Sequence, residues 1–412
     1  MSGMKSLLAL ILGLVLGGLI LKFGSANMIE GAKLFKVPGD LWLNMLKLGL
    51  IPLIFSLVAS SAYSAVAQMG QNRVLRTTLI LIFSFLALSA IFGAVATMAW
   101  LRTGLIPAGT VPFDLAANHP DVPGLLDLLK ALIPSNIVAA ASDGAMAPIS
   151  IFALLFAVFV ARTSAKGPTA LAQVLDQFSA TMLAMVEWVL IAAPVAVFCF
   201  GVMLSLNLGA QAASFVGQYL TAMAVVSGGM IALAYVGAYG SSRQKGAPFT
   251  FGQFVTAALP AQALALSTQS SLATLPLMIK RTTDHLSGPP ELTRGSLSLA
   301  VALFRFTAPG ASIAGALLVA QFHGLIVGPL QLALAIPVAV IATLSSAGVP
   351  GMATVFATKS IVMSALGLPL DLLPILVALD TIPDMIKTVA NVTADMALAT
   401  MVANGASDTR QG

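Results

Sequence analysis

The chain has 412 residues, of which 58% are hydrophobic and only 8% are charged, and its mean hydropathy is +0.98. Soluble domains carry about 25% charged residues, so the composition excludes a soluble protein and predicts one polytopic integral membrane domain. The net charge of +5 comes from Lys and Arg residues scattered over short loops, where they set topology, so no nucleic-acid partner is predicted. The single Cys and the three dispersed His residues predict neither a disulfide framework nor a metal site, and no cofactor is expected.

The first half of the chain is a series of apolar segments separated by short polar connections. The first segment, 7–21, resembles the apolar region of a signal peptide, but its length and its continuation into Lys22 favour a membrane span. Basic residues cluster in alternate loops, which by the positive-inside rule places both termini in the cytoplasm. The segment 102–147 is rich in Pro, Gly, Asn and Asp, with a short interfacial helix predicted at 125–133. The apolar segments of this half lie at 7–21, 41–66, 79–101, 148–160, 181–206 and 219–239.

The second half contains the same unit twice, an interrupted apolar segment followed by a span. Residues 249–279 are interrupted by the polar run 267–271, and residues 328–366 are interrupted at 343–351. The first segment is too long for one span and too short for two, and the second is broken in the middle in the same way, which predicts two re-entrant helical hairpins with polar tips. Such repeated broken segments are typical of transporters built from inverted repeats. The predicted fold is therefore an all-α membrane protein with eight transmembrane helices and two re-entrant hairpins.

A polar stripe runs along the apolar segment 371–401, which follows the second hairpin. Its members are spaced by 4, 3, 4 and 4 residues, which places them on one face of an α-helix. Each ionisable group at bilayer depth costs about 2.5–3.5 kcal/mol, so the stripe must face protein, water or a ligand. We predict a functional site here; a buried ion-pair lattice that only joins helices is the alternative. The stripe consists of Asp380, Asp384, Lys387, Asn391 and Asp395.

These motifs resemble those of the dicarboxylate/amino acid:cation symporters, a family that includes archaeal aspartate transporters and mammalian excitatory amino acid transporters. Residues 270–276 (SSLATLP) are similar to the family's serine-rich first tip, which also ends in Thr-Leu-Pro. Residues 347–351 (AGVPG) are similar to its second tip. The last helix matches the family's Asp, Arg, Asn-Val-Thr and Asp at Asp384, Lys387, Asn391-Val392-Thr393 and Asp395, with Lys in place of Arg.

The resemblance implies a homotrimer that carries a small carboxylate solute, an acidic amino acid or a C4-dicarboxylate, across the inner membrane of the cell by an elevator movement. The scaffold would lie mainly in 1–76 and part of 135–240, and the transport domain mainly in 77–101 and 246–404. Asp384 would bind a substrate ammonium, and Asn391 and the first tip would bind an α-carboxylate. Lys387 would bind a side-chain carboxylate, and the second tip would act as the gate. The implied substrate-binding residues are Ser270, Ser271, Thr274, Ala347, Gly348, Val349, Pro350, Asp384, Lys387 and Asn391.

The chain departs from the family where the family binds sodium. The family's Asn-Met-Asp-Gly-Thr motif is replaced by 304–308 (FRFTA), and phenylalanine side chains cannot supply the oxygen ligands that a hard cation needs. The sequence therefore argues against sodium coupling of the family's kind. Arg305 carries a permanent charge and is predicted to replace a bound cation next to Asp395 or Asp384, unless it lies at the wet end of its span.

Several alternatives stay open at the level of the sequence. Protons could couple through Asp380, Asp384 or Asp395, a residual sodium site could exist at Asn391 and Asp395, and the substrate could be a neutral amino acid or another organic anion. A channel with the tips as its filter is another class. A Ser–Lys hydrolase using Ser270 or Ser271 with Lys387 is chemically conceivable, but a nucleophile needs no second polar tip, so no enzyme is predicted.

Overall fold

The computed structural model describes residues 2–69, 73–105, 133, 135–143, 145–163, 170–209, 211–244, 247–286, 290–344, 351–370 and 372–411. Within these ranges every regular element is helical. The first half contains α1 (Ser2–Phe23), α2 (Ala26–Ala32), a 3-10 turn (Lys33–Phe35), α3 (Lys36–Met69), α4 (Arg73–Leu101), α5 (Ile137–Ser142), α6 (Met146–Thr163), α7 (Ala170–Leu190), α8 (Ala193–Leu208) and α9 (Gln211–Ser242). The second half contains α10 (Phe251–Thr268), α11 (Ser271–Leu286), α12 (Pro290–Leu303), α13 (Thr307–His323), α14 (Pro329–Leu344), α15 (Gly351–Ala365), α16 (Leu373–Leu379) and α17 (Thr381–Gln411).

The helices have the length and composition of membrane spans. In the described part of the chain, six helical stretches are long and apolar enough to cross a membrane, or seven if the pair α7–α8 is one span. Large apolar side chains stand exposed on the outer helices, where lipid can cover them, as Leu12, Ile91, Phe159 and Val236 do. The prediction of an all-α polytopic membrane protein is confirmed, whereas the count of eight spans stays a prediction.

Three segments that the sequence presents as continuous spans are broken. α7 and α8 meet at a bend of 53°, where Pro194 opens the second helix. The span that the sequence predicts after the first interrupted segment, at 297–321, is divided into α12 and α13 by the non-helical stretch 304–306. The charged segment is divided at Asp380, which ends α16, and Pro383 lies in the first turn of α17, where its missing N–H is tolerated. The polar stripe is therefore not carried by one helix.

The first predicted hairpin corresponds to two helices that pack against each other, α10 and α11. They are joined at Gln269, which has a left-handed φ of 53°, and at Ser270, whose hydroxyl accepts a hydrogen bond from Ala273 N at 3.2 Å. Ser270 therefore caps α11, which begins at Ser271. α14 and α15 form the second packed pair. The predicted second tip (Ala347, Gly348, Val349 and Pro350) and the predicted interfacial helix at 125–133 lie outside the described residues, apart from residue 133.

Small residues allow the helices to approach closely. A Cβ added at Gly13 or Gly201 would collide with the facing backbone of α8 or α1, and Ser205 Oγ donates to Leu14 O at 2.7 Å across the same contact. Gly310 of α13 lies against the backbone of α4 in the same way. Such close packing is how membrane helices associate without a hydrophobic driving force between them.

α13 and α17 occupy the centre of the second half of the chain. Almost every residue of α13 is buried, and the helix contacts α4, α9, α14, α15 and α17. α17 packs against α9, α10, α11 and α12. The non-helical stretch 304–306, which precedes α13, therefore lies in the interior, and Asp380, which precedes α17, places a charged side chain there.

Candidate substrate site at the centre of the bundle

Asp380 is the centre of a buried ionic cluster. Its side chain is 1% exposed and accepts a hydrogen bond from Lys387 Nζ. Tyr219 of α9 donates its hydroxyl to the same carboxylate at 3.3 Å, and the ammonium of Lys359 lies 3.8 Å from it. One carboxylate thus faces two ammonium groups and a phenol, which is the compensation that a charge at this depth requires.

Lys359 is a member of this cluster that sequence reasoning missed. It lies on α15, is 2% exposed, and donates a hydrogen bond to Ala311 O on α13 at 3.2 Å. Gly315, one turn further along α13, leaves room for the side chain of Lys359, since a Cβ added at Gly315 would lie only 3.0 Å from Lys359 Nζ. A single Lys in an otherwise apolar helix is itself a signal of an intramembrane site, because an ionisable group at bilayer depth is costly. The same argument identified the polar stripe.

Lys387 has a second carboxylate within reach. Its Nζ lies 3.4 Å from Asp384, one turn earlier on α17. The two residues differ in exposure, since the side chain of Lys387 is 8% exposed and that of Asp384 is 24% exposed. Asp384 is therefore the acidic group of the cluster that is most accessible from the adjoining cavity.

A small cavity of about 30 Å³ adjoins the cluster between α13, α15 and α17. Three basic side chains from three separate elements line it, together with two carboxylates and several hydroxyl groups. A concave site with few convergent charged groups is the expected form of a small-solute site. Its lining consists of Arg305, Thr307, Ala308, Ala311, Ser312, Thr354, Val355, Thr358, Lys359, Asp380, Asp384, Lys387 and Asn391.

Arg305 lies in the break between α12 and α13, on the wall of this cavity. Its guanidinium interacts electrostatically with the carboxylates of both Asp384 and Asp395. Phe304 and Phe306 flank it, and both rings contact Phe85 of α4, with centroids 6.2 Å and 6.3 Å apart. Their apolar rings occupy positions of the family's Asn-Met-Asp-Gly-Thr motif, from which the resemblance implies sodium ligands.

Asp395 lies apart from the cavity that the other members of the stripe line. It is 1% exposed and does not line the cavity, and among the described residues neither of its carboxylate oxygens has a hydrogen-bond partner. Its electrostatic partner is Arg305. In the described ranges no three His, Cys, Asp or Glu side chains form a group that could hold a metal ion.

Asn391 joins α17 to the start of α13. Its Oδ1 accepts a hydrogen bond from Thr307 N at 2.9 Å, which satisfies a backbone donor that the helix itself leaves unpaired. Thr393, two residues later, accepts a hydrogen bond from Gln262 of α10 at 2.7 Å, and Gln262 also donates to Tyr235 at 2.8 Å. The Asn-Val-Thr run therefore ties α17 to two neighbouring helices.

The first tip is not part of this cavity. Ser270 caps α11, Thr274 is buried and donates its hydroxyl to Ser270 O at 2.8 Å, and Ser271 is partly exposed. The structure thus brings together five predicted site residues around one cavity and leaves the predicted first-tip residues apart from it. The five that meet are Arg305, Asp380, Asp384, Lys387 and Asn391.

A charged cavity inside a helical membrane protein is a site of the kind that membrane transport proteins use to bind their solutes. A family model described as the sodium:dicarboxylate symporter family matches residues 3–404, and the chain therefore belongs to this family. The resemblance stated from the tips and the last helix is confirmed.

Named relatives span most of the chain at low identity. The chain is 24% identical over 413 residues to the proton/glutamate-aspartate symporter of Escherichia coli (strain K12), with 96% of this chain and 90% of the relative covered. It is 25% identical over 430 residues to neutral amino acid transporter B(0) of Oryctolagus cuniculus, covering 95% and 77%. It is 26% identical over 410 residues to neutral amino acid transporter A of Homo sapiens, covering 87% and 73%.

Proposed function

We propose that this protein is a secondary transporter that carries a small carboxylate solute, an acidic amino acid or a C4-dicarboxylate, through the membrane. The observation that carries the proposal is the convergence of Arg305, Lys359 and Lys387 on one interior cavity. Two carboxylates, Asp380 and Asp384, line the same cavity, so the lining carries one more positive than negative group, which suits an anionic solute. The Escherichia coli relative, named as a glutamate-aspartate symporter, supports the same substrate class.

The transport movement that we propose is an elevator within a homotrimer of the inner membrane, with both termini in the cytoplasm. Residues 77–101 and 246–404 form the moving domain, and residues 1–76 with part of 135–240 form the scaffold. The packing of α17 on α10, α11 and α12, and of α13 on α4, α14 and α15, supports a single moving body built around the cavity. The two hairpins are its re-entrant elements, related as inverted repeats.

The roles within the site follow the resemblance. Asp384 binds a substrate ammonium, and its partial exposure at the cavity supports this role. Asn391 and the first tip, with Ser270, Ser271 and Thr274, bind an α-carboxylate, which requires the tip to move towards the cavity. The second tip, with Ala347, Gly348, Val349 and Pro350, closes as a gate. Lys387 stands where the family has the Arg that binds a side-chain carboxylate.

We further propose that Arg305 replaces a co-transported sodium ion. Its electrostatic interaction with Asp384 and Asp395 supports this role, because a fixed cation there neutralises the carboxylates that would otherwise need a bound ion. Phe304 and Phe306 provide no side-chain oxygen in its place. Proton coupling through Asp380, Asp384 or Asp395 is the alternative way to drive uptake, and the relative named as a proton symporter supports it.

A second candidate function is the exchange of a neutral amino acid, which the two neutral amino acid transporters among the relatives support. The balance of interior charge also favours it, since three basic groups stand against three carboxylates. A zwitterion would leave that balance unchanged. The six groups are Arg305, Lys359, Lys387, Asp380, Asp384 and Asp395.

The test is exchange in proteoliposomes that contain the purified protein and are loaded with L-aspartate, succinate or L-serine. The same compound, radiolabelled, is supplied outside in sodium, potassium or choline salt. We expect equal exchange of an acidic solute in all three salts. Exchange only in sodium would contradict the assignment of Arg305, and exchange of L-serine alone would establish the second candidate.

A further inference from the structure

The two lysines of the cluster differ in how many hydrogen-bond and ion-pair partners their ammonium groups have. Lys387 has two carboxylates within hydrogen-bond distance, those of Asp380 and Asp384. Among the described residues, Lys359 donates one hydrogen bond, to the uncharged Ala311 O, and its distance of 3.8 Å from Asp380 is beyond a hydrogen bond. An ammonium group has three donors, so Lys359 is the lysine with donor capacity to spare.

Both lysines line the cavity, but the surroundings of Lys359 are better suited to an added anion. The ammonium of Lys387 already faces two negative charges, so a substrate carboxylate there would be repelled by both of them. Of the two carboxylates, only Asp380 lies within ion-pair distance of Lys359, at 3.8 Å, and Asp380 is bound more closely by Lys387. Asp384 acts on Lys359 only electrostatically, from further away. Ser312, Thr354 and Thr358 line the same cavity on α13 and α15. Hydroxyl groups beside a lysine can donate hydrogen bonds to a carboxylate that the lysine binds.

We propose that Lys359, rather than Lys387, is the residue that binds the substrate carboxylate and sets the preference for an acidic solute. The inference rests on the proposed function and changes the assignment that the resemblance makes for Lys387. Lys387 is then a positioning residue, which holds Asp380 and Asp384 in place. The substrate class that follows is a small solute with a carboxylate that reaches α15 from the ammonium site at Asp384.

The location of Lys359 on α15 has a consequence for the second hairpin. α15 packs against α14 to form that hairpin, and Lys359 links it to α13 through Ala311 O. A carboxylate bound to Lys359 would add a charged contact between α15 and the substrate. An acidic solute would thereby hold the hairpin on the cavity more firmly than its amide analogue.

The experiment compares each acid with its near-isosteric amide, L-aspartate with L-asparagine and succinate with succinamate. Exchange is measured in proteoliposomes for the full chain and for Lys359→Met, Lys359→Gln, Lys359→Arg and Lys387→Met. The readout is the ratio of kcat/KM for acid to kcat/KM for amide, together with KM and kcat separately. Monodispersity and the thermal unfolding midpoint are recorded for every variant, since a folding defect lowers both rates without changing their ratio.

We expect the unsubstituted chain to prefer one acid over its amide by about tenfold to a hundredfold, the range for one charge-assisted contact. Lys359→Met and Lys359→Gln should reduce that ratio to within about threefold of unity, mainly through KM of the acid, and Lys359→Arg should keep much of it. Lys387→Met should lower stability and overall rate while retaining the preference.

Two results would overturn the inference. The first leaves the proposed function standing, and the second does not. If the unsubstituted chain prefers the acid and Lys359→Met keeps that preference while Lys387→Met loses it, the assignment to Lys359 is wrong and the proposed function stands. If the unsubstituted chain exchanges neither acid in preference to its amide, the proposed function and the inference both fall.

Discussion

Lys387 donates a hydrogen bond to Asp380, which lies seven residues earlier in the chain and on the far side of the break between α16 and α17. Residues seven apart lie on one face of an α-helix, and backbone hydrogen bonds from Asp380 N to Leu376 O and from Asp384 N to Asp380 O keep that face through the junction. The carboxylate of Asp380 faces Lys387, Lys359 and Tyr219 together. The ionic cluster therefore holds α9, α15 and α17 at a common point beside the cavity.

Asp380→Asn should destabilise the protein by about 3–5 kcal/mol, because it leaves two buried ammonium groups without their shared carboxylate. The measurement is thermal or denaturant unfolding of the purified protein in detergent, with Asp284→Asn on the exposed face of α11 as the control. Asp380→Asn combined with Lys387→Met should recover part of the loss, since it removes one of the uncompensated charges. A single variant as stable as the parent would mean that the cluster contributes nothing.

Asn391→Ala should destabilise the protein by about 1–3 kcal/mol, the usual effect of leaving a buried backbone donor unpaired. The donor is Thr307 N at the start of α13, which Asn391 Oδ1 satisfies at 2.9 Å. Asn391→Ser keeps a side-chain oxygen that can accept a hydrogen bond without adding a charge, and is the matched control in unfolding measurements. Equal stability of the alanine variant and the parent would show that Asn391 does not support α13 and is free for substrate.

Arg305→Met should abolish exchange or make it depend on sodium, because the substitution removes the fixed cation beside Asp384 and Asp395. Uptake of an acidic solute is measured over a range of sodium concentrations, and Arg305→Lys serves as the control that keeps a charge. Transport by Arg305→Met that is intact at every sodium concentration would end the idea that Arg305 replaces an ion.

Gly310→Ala should cost about 1–3 kcal/mol of stability through overpacking. A Cβ at this position of α13 would collide with Ser89 O of α4 and with Met230 of α9, and the backbone atom cannot move aside as a flexible side chain can. Gly228→Ala on α9 is the matched control, since no heavy atom lies within 4 Å of its added Cβ. Indistinguishable unfolding midpoints for the two variants would contradict the close packing of α4 on α13.

The sequence by itself determined the class of the protein, because apolar length and scarce charge are local properties of a membrane helix. It also located the first hairpin, since the polar run 267–271 interrupts an apolar segment near the turn observed at Gln269 and Ser270. The spacing of the polar stripe brought Asp384, Lys387 and Asn391 to one cavity, since residues three and four apart share a helix face.

Only the tertiary structure decided which of these charges meet. Lys359 entered the site because α15 packs on α13, and Asn391 became the cap of α13 because two helices from distant parts of the chain cross there. Periodicity along one helix cannot report such contacts, since they depend on distances between separate elements. The carboxylate that Lys387 binds most closely was likewise decided by contacts between elements, since Asp380 and Asp384 lie on the same helix face and Lys359 and Tyr219 converge on Asp380.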